Sequence, residues 1–128
     1  MINTLDIGKY IYSTLTDASS GITCKCNPLV ADNDTKYPFI VYRRMNLVSS
    51  TCKDGVYEDE VVMEIIVVST KYSETIDLAT KIRKRLERQR FIYDNLEIND
   101  GNIIMATEEF TNNAYVQRMQ FQFKVKNN

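Results

Sequence analysis

Tyr115-Val116-Gln117-Arg118-Met119-Gln120-Phe121-Gln122-Phe123-Lys124-Val125 is the stretch on which the fold turns. Met119, Phe121, Phe123 and Val125 alternate with Arg118, Gln120, Gln122 and Lys124. A period of two is what an extended chain converts into one apolar face and one wetted face. The stretch therefore predicts a strand with one side on a core and the other in water, the usual state of antiparallel sheets.

Immediately upstream, Thr111-Asn112-Asn113 reads as a turn and Ile103 to Phe110 as the preceding strand. Asn99-Asp100-Gly101-Asn102 reads as a further turn, so the last third is a β meander. Before it, Tyr72 to Arg90 predicts a helix with Tyr72, Ile76, Ala79, Ile82 and Leu86 on one side. Glu74 and Asp77 near its start, and Lys84, Arg85, Arg88 and Arg90 near its end, complement the helix dipole. That order accounts for the basic face made by Lys81, Lys84, Arg85 and Arg88 without a phosphate ligand.

Val56 to Thr70 is strand again, with Val61, Met63, Ile65 and Val67 on one face. The opposite face, Val62, Glu64, Ile66 and Val68, is too apolar to be fully wet, so either a helix or another subunit covers it. Ser49 to Lys53 with Asp54-Gly55 supply the connection into this strand, Asp-Gly being a favoured hairpin turn. Phe39 to Met45, rich in aromatic and β-branched residues, is its partner candidate. Ile22 to Ala31 is expected to be extended, broken at Pro28, and Asp32 to Lys36 to be a polar loop. Leu5 to about Asp17 predicts the first helix, with Ile7, Ile11 and Leu15 as a narrow stripe. The pattern amounts to one α+β domain over residues 1–128, an antiparallel or mixed β-sheet with two helices packed on one face.

The bulk properties agree with a packed domain. A chain of 128 residues can bury roughly two-thirds of its unfolded surface. The net charge of −1 argues against a dedicated nucleic-acid binder, which carries a basic excess to displace counterions. Three cysteines make no disulfide framework, and two residues of strand separate Cys24 and Cys26 too widely for a bond. Reduced thiols in a reducing compartment are expected. The N-terminal residues lack a signal-peptide pattern, and no apolar run approaches the ~20 residues of a membrane span. A soluble protein without a membrane partner follows as the expectation.

There is no histidine, which removes the commonest general base and transition-metal ligand. Four scattered glycines form no phosphate loop. Cys24, Cys26 and Cys52 offer three thiolates at most, short of the usual zinc spacing and ligand number. No cofactor or metal is expected. Glu58, Asp59 and Glu60 form an acidic run that reads as a solvated edge or a channel lining rather than a catalytic pair. Among the eight tyrosines, Tyr57, Tyr93 and Tyr115 stand beside turns or strand ends and are the interface candidates, together with Val62 and Ile66.

Three stretches, taken in order, resemble the tail terminator (tail-completion) proteins of long-tailed bacteriophages and prophages. The first is Asn27-Pro28-Leu29-Val30-Ala31, a polar loop, then Tyr37-Pro38-Phe39-Ile40-Val41-Tyr42. In the second, the strand ending Val67-Val68-Ser69 passes through Tyr72 into a helix with Leu78-Ala79 and Ile82-Arg83. The third is the closing strand from Tyr115 to Phe121. The resemblance implies a non-enzymatic virion protein forming a homo-oligomeric ring, commonly a hexamer, at the head-proximal end of the tail. Such a ring stops tube growth, contacts the tail tube protein and the head-tail connector proteins, and passes DNA without reading it. Its lumen is then expected to be neutral or acidic, with Glu58, Asp59 and Glu60 as lining candidates. The location implied is the virion neck, with the host cytoplasm during assembly. The competing readings are another neck, collar or head-completion protein, a host adaptor, and, last, an enzyme using Cys52 or the acidic run.

Overall fold

A computed structural model describes residues 4–32, 34–51, 57–93 and 96–127. The order is α1 (Ile7–Thr16), β1 (Lys25–Pro28), β2 (Phe39–Thr51), β3 (Tyr57–Ser69), α2 (Tyr72–Leu86), β4 (Phe91–Tyr93), β5 (Leu96–Thr111) and β6 (Ala114–Asn127). One mixed sheet of six strands runs β1-β2-β3-β6-β5-β4. β1 lies parallel to β2; every other neighbour pair is antiparallel.

β6 sits in the middle of this sheet, flanked by β3 and β5. Its period of two is realised: Met119, Phe121, Phe123 and Val125 are buried, and Phe121 and Val125 have no exposed surface. Val61, Met63, Ile65 and Val67 of β3 join them on the same side. Both helices cover that side. α1 contributes Ile7, Ile11 and Leu15, each fully buried, and α2 contributes Leu78, Ile82 and Leu86. At ~25 cal/mol per Å² of apolar surface removed from water, such side chains each stabilise the fold by about 2 kcal/mol.

Two expectations need correction. The buried stripe of α2 is Thr75, Leu78, Ile82 and Leu86, whereas Tyr72 and Ile76 are exposed. In this rotation Leu78, Ile82 and Leu86, four residues apart, pack into the core, and Thr75 stands beside the buried Gln117 of β6, whose amide donates to its hydroxyl at 3.4 Å. The helix also stops at Leu86 rather than Arg90, its last turn closed by the Glu87 N–H donating to the Arg83 carbonyl at 2.8 Å. The second correction concerns Asn99-Asp100-Gly101-Asn102, which is no reversal. β5 runs straight through it, with an irregularity in register between Asn99 and Asn102. Asp100 takes a left-handed φ of 54°, a conformation Asp and Asn tolerate better than most residues. The bulge brings the Gly101 carbonyl to the Arg88 N–H at 2.6 Å.

Asn112 and Asn113 do form the tight turn expected of them. Their φ values of 52° and 63° are those of a type I′ hairpin, the two-residue loop whose twist matches the strands it joins. The connection expected from Ser49 begins later, because β2 stays paired with β3 through Thr51; the expected turn at Asp54-Gly55 lies outside the described residues, as do Cys52 and Lys53.

Candidate assembly surface

The side of the sheet away from the helices carries the alternate residues of β2, β3, β6 and β5. No helix covers it among the described residues, so of the two coverings foreseen for Val62, Ile66 and Val68 the helix is excluded. These three are half-buried by their neighbours alone. Glu64 stands among them, with only 4% of its side chain exposed. A carboxylate so deprived of water requires compensating partners. Arg43 of β2 supplies one at 2.8 Å, Arg118 of β6 another at 3.5 Å, and the Gln120 amide donates at 3.1 Å. Arg118 reaches on to Glu109 of β5 at 3.1 Å. A polar line thus crosses all four long strands.

The acidic run divides between the two sides of the sheet. Asp59 points to the helix side, is buried, and accepts hydrogen bonds from the Ser49 hydroxyl at 2.5 Å and from the Thr4 hydroxyl. Glu58 and Glu60 point the other way, Glu58 pairing with Lys126 at 3.7 Å and Glu60 accepting from the Gln122 amide at 3.4 Å. Alternation along a strand forbids the three carboxylates from meeting in one pocket. Glu58 and Glu60 share the helix-free face with Val62, Glu64 and Ile66.

The tyrosine candidates are also separated. Tyr93 packs on Tyr10 with ring centroids 6.2 Å apart, at the β4 corner of the helix side. At the other end of β6, the Tyr115 ring packs tilted against Phe110, with centroids 4.8 Å apart, and edge-on against Tyr72 at 5.6 Å. Tyr57 begins β3, and its side chain lies outside the description. The exposed Tyr72 hydroxyl donates to Glu108 at 2.8 Å, and the Gln117 amide donates to the same carboxylate at 2.9 Å. These two bonds hold the Glu108 carboxyl below its ordinary pKa. Around them lies a small cleft of about 230 Å³ lined by Tyr72, Glu108, Glu109, Phe110 and Tyr115.

Both described cysteines are free thiols, Cys24 half-buried and Cys26 buried. Burial pushes the Cys26 thiol up to about 11 and raises Cys24 as well. The thiolate is the reactive form, so alkylation of Cys26 by iodoacetamide at pH 8.5 is expected to run roughly fiftyfold or more below that of a free cysteine. Mass spectrometry of the digested protein reads this per residue. Labelling of Cys26 as fast as a model peptide would contradict its burial.

What sequence reasoning missed is the Arg43–Glu64–Arg118–Glu109 line and the two open margins of the sheet. The signal for the first was a lone Glu64 between Val62 and Ile66, a charge inside an otherwise apolar row.

No family model matches the chain, and no curated protein sequence does. Among solved structures, a chain from the virion of a native gene transfer agent particle has the same fold, with a TM-score of 0.74 at 11% identity. The superposition covers 91% of this chain and 91% of that one. The likeness is one of fold, along nearly the whole of both molecules.

Proposed function

We propose, with that shared fold as the premise, that the chain is a structural subunit of a phage-type particle and acts as its tail terminator. It forms a ring, on this reading a hexamer, at the head-proximal end of the tail tube, where it ends polymerisation and receives the head connector. The observation that carries the reading is the end-to-end match to a chain of a gene transfer agent virion. Supporting it is the helix-free face, bare among the described residues, on which Val62 and Ile66 stand on the same side as Glu58 and Glu60 and turn with them toward the channel. The helix-free face also places Glu58 and Glu60 together with Lys124 and Lys126, a mixed charge that neither grips nor repels a passing polyanion strongly. Glu58 and Glu60 are the lining candidates on this reading, and Asp59 is a strut of the fold.

Particles produced without this protein test the proposal. Electron micrographs are expected to show overlong tubes or tubes detached from heads. Normal joined particles would refute termination, and a defect confined to the collar or head would favour another neck component.

A further inference from the structure

Among the described residues the sheet has two bare margins. β1 pairs with β2 only over Phe39 to Tyr42, so Arg43 to Thr51 offer an unpaired row of backbone groups. At the opposite edge β4 pairs with β5 only over Leu96 to Ile98; beyond the Gly101 carbonyl, which accepts from the Arg88 N–H, β5 has no strand on its outer side among the described residues as far as Thr111. Natural proteins blunt such edges, because an open strand recruits another. Here neither is blunted by proline, and both carry exposed apolar side chains: Met45 and Val48 on one, Ile104, Met105 and Phe110 on the other.

We propose that copies of this chain join edge to edge, the open part of β2 in one copy adding antiparallel to the open part of β5 in the next. This rests on the ring reading above for its closure, while the pairing is argued from the edges themselves. β2 and β5 run in opposite directions, since three antiparallel steps separate them, so a neighbour in the same orientation continues the alternation. The end of β1 at Pro28 limits how far the neighbour's hairpin tip can travel, because Leu29 already donates its N–H to the Tyr42 carbonyl at 2.9 Å. The tip therefore stops with Thr111 opposite Arg43 and Phe110 opposite Arg44.

That register keeps the faces consistent. Arg43 and Thr111 lie on the helix-free side, Arg44 and Phe110 on the helix side. Passing over Met45, which the bulge in β2 already sets out of step, Val48 meets Thr107 on the helix-free side. The charges agree as well. Arg43 and Arg44 fall diagonally across from Glu109 and Glu108, within reach of long side chains in a sheet, and Arg44 lies over the exposed Phe110 ring.

The geometry also closes. Within one chain Arg43 is level with Glu64, Gln120 and Met105. In the next copy it is level with Thr111, so each copy advances by six residues across four strands. With a rise of ~3.3 Å and a spacing of ~4.8 Å, the strands tilt by roughly 45°, at the upper end of what closed barrels use.

Oxidation of a double variant, Val48→Cys with Thr107→Cys, tests this in the concentrated protein and in assembled particles. The two positions lie three strands apart within one chain, so a bond between them joins copies. A non-reducing gel is expected to show a ladder, with at least tenfold more material above the dimer than either single variant gives. Moving the second cysteine one residue, as Val48→Cys with Ala106→Cys, turns it to the opposite face and should abolish the excess. If Val48→Cys with Thr107→Cys gives no ladder in either setting while tails keep their length, the edge pairing is overturned and the terminator reading survives. A ladder beside normal tails in particles lacking the protein leaves the pairing and removes the terminator role.

Discussion

Gly101→Ala is expected to lower stability by on the order of 3 kcal/mol, the upper range for forcing an atom into a packed interior. A β-carbon at this position would lie 2.3 Å from the Leu86 carbonyl oxygen and 2.8 Å from the Phe123 ring. The ring can shift a little, but the carbonyl belongs to the last turn of α2, and that turn is held to β5 by the Arg88 N–H donating to Gly101 at 2.6 Å. The collision is therefore between the new β-carbon and fixed backbone. In urea the midpoint should fall by roughly 1.5–2 M with an unchanged slope. A midpoint within experimental error of the parent would mean that α2 and the β5 bulge do not approach as closely as described.

The second large effect is expected at Phe121, which has no exposed surface and lies in the middle of the core. Phe121→Ala removes a ring that its neighbours cannot replace, at about 4 kcal/mol. Gln122→Ala, one residue along the same strand, should stay within ~0.5 kcal/mol, since its side chain sits on the helix-free face with a 3.4 Å contact to Glu60. The contrast is what matters. Comparable losses at both positions, measured by the same denaturation, would show that the bare face is as heavily buried in the isolated chain as the core face.

Much of this architecture was legible from residue order. The alternation in β6 identified the core face of the central strand, and the same alternation in β3 found Val61, Met63, Ile65 and Val67. Thr111-Asn112-Asn113 was legible as a turn, and the structure makes it a two-residue hairpin because Asn accepts positive φ better than most residues. The misreadings have a common physical source in tertiary contact. α2 offers Tyr72 and Ile76 as readily as Thr75 and Leu78 to a helical pattern, and the packing of the helix on the sheet, with Leu78 in the core and Thr75 beside Gln117 of β6, decides between them. Asn99 to Asn102 has full turn chemistry, yet the long pairing of β5 with β6 on either side holds the chain extended and converts the glycine into a point of close approach. The candidate assembly surface was less accessible still. The apolar excess around Val62 and Ile66 was visible, but the open margins depend on where β1 and β4 stop pairing, and short edge strands leave little trace in composition.

β3 and β6 meet along twelve residue pairs, and the bond between Glu64 and Gln120 spans 56 positions of chain. On each flank, by contrast, β2–β3 and β5–β6 are connected through short hairpins. The molecule is thus two half-sheets that can zip up from nearby contacts, with α2 as the strap between them. Their union is expected to be the slow event, because closing so long a loop costs entropy before any contact rewards it. Until that seam shuts, each half exposes an oily flank and an extra unpaired strand, and a newly made chain is at its most prone to join the wrong neighbour.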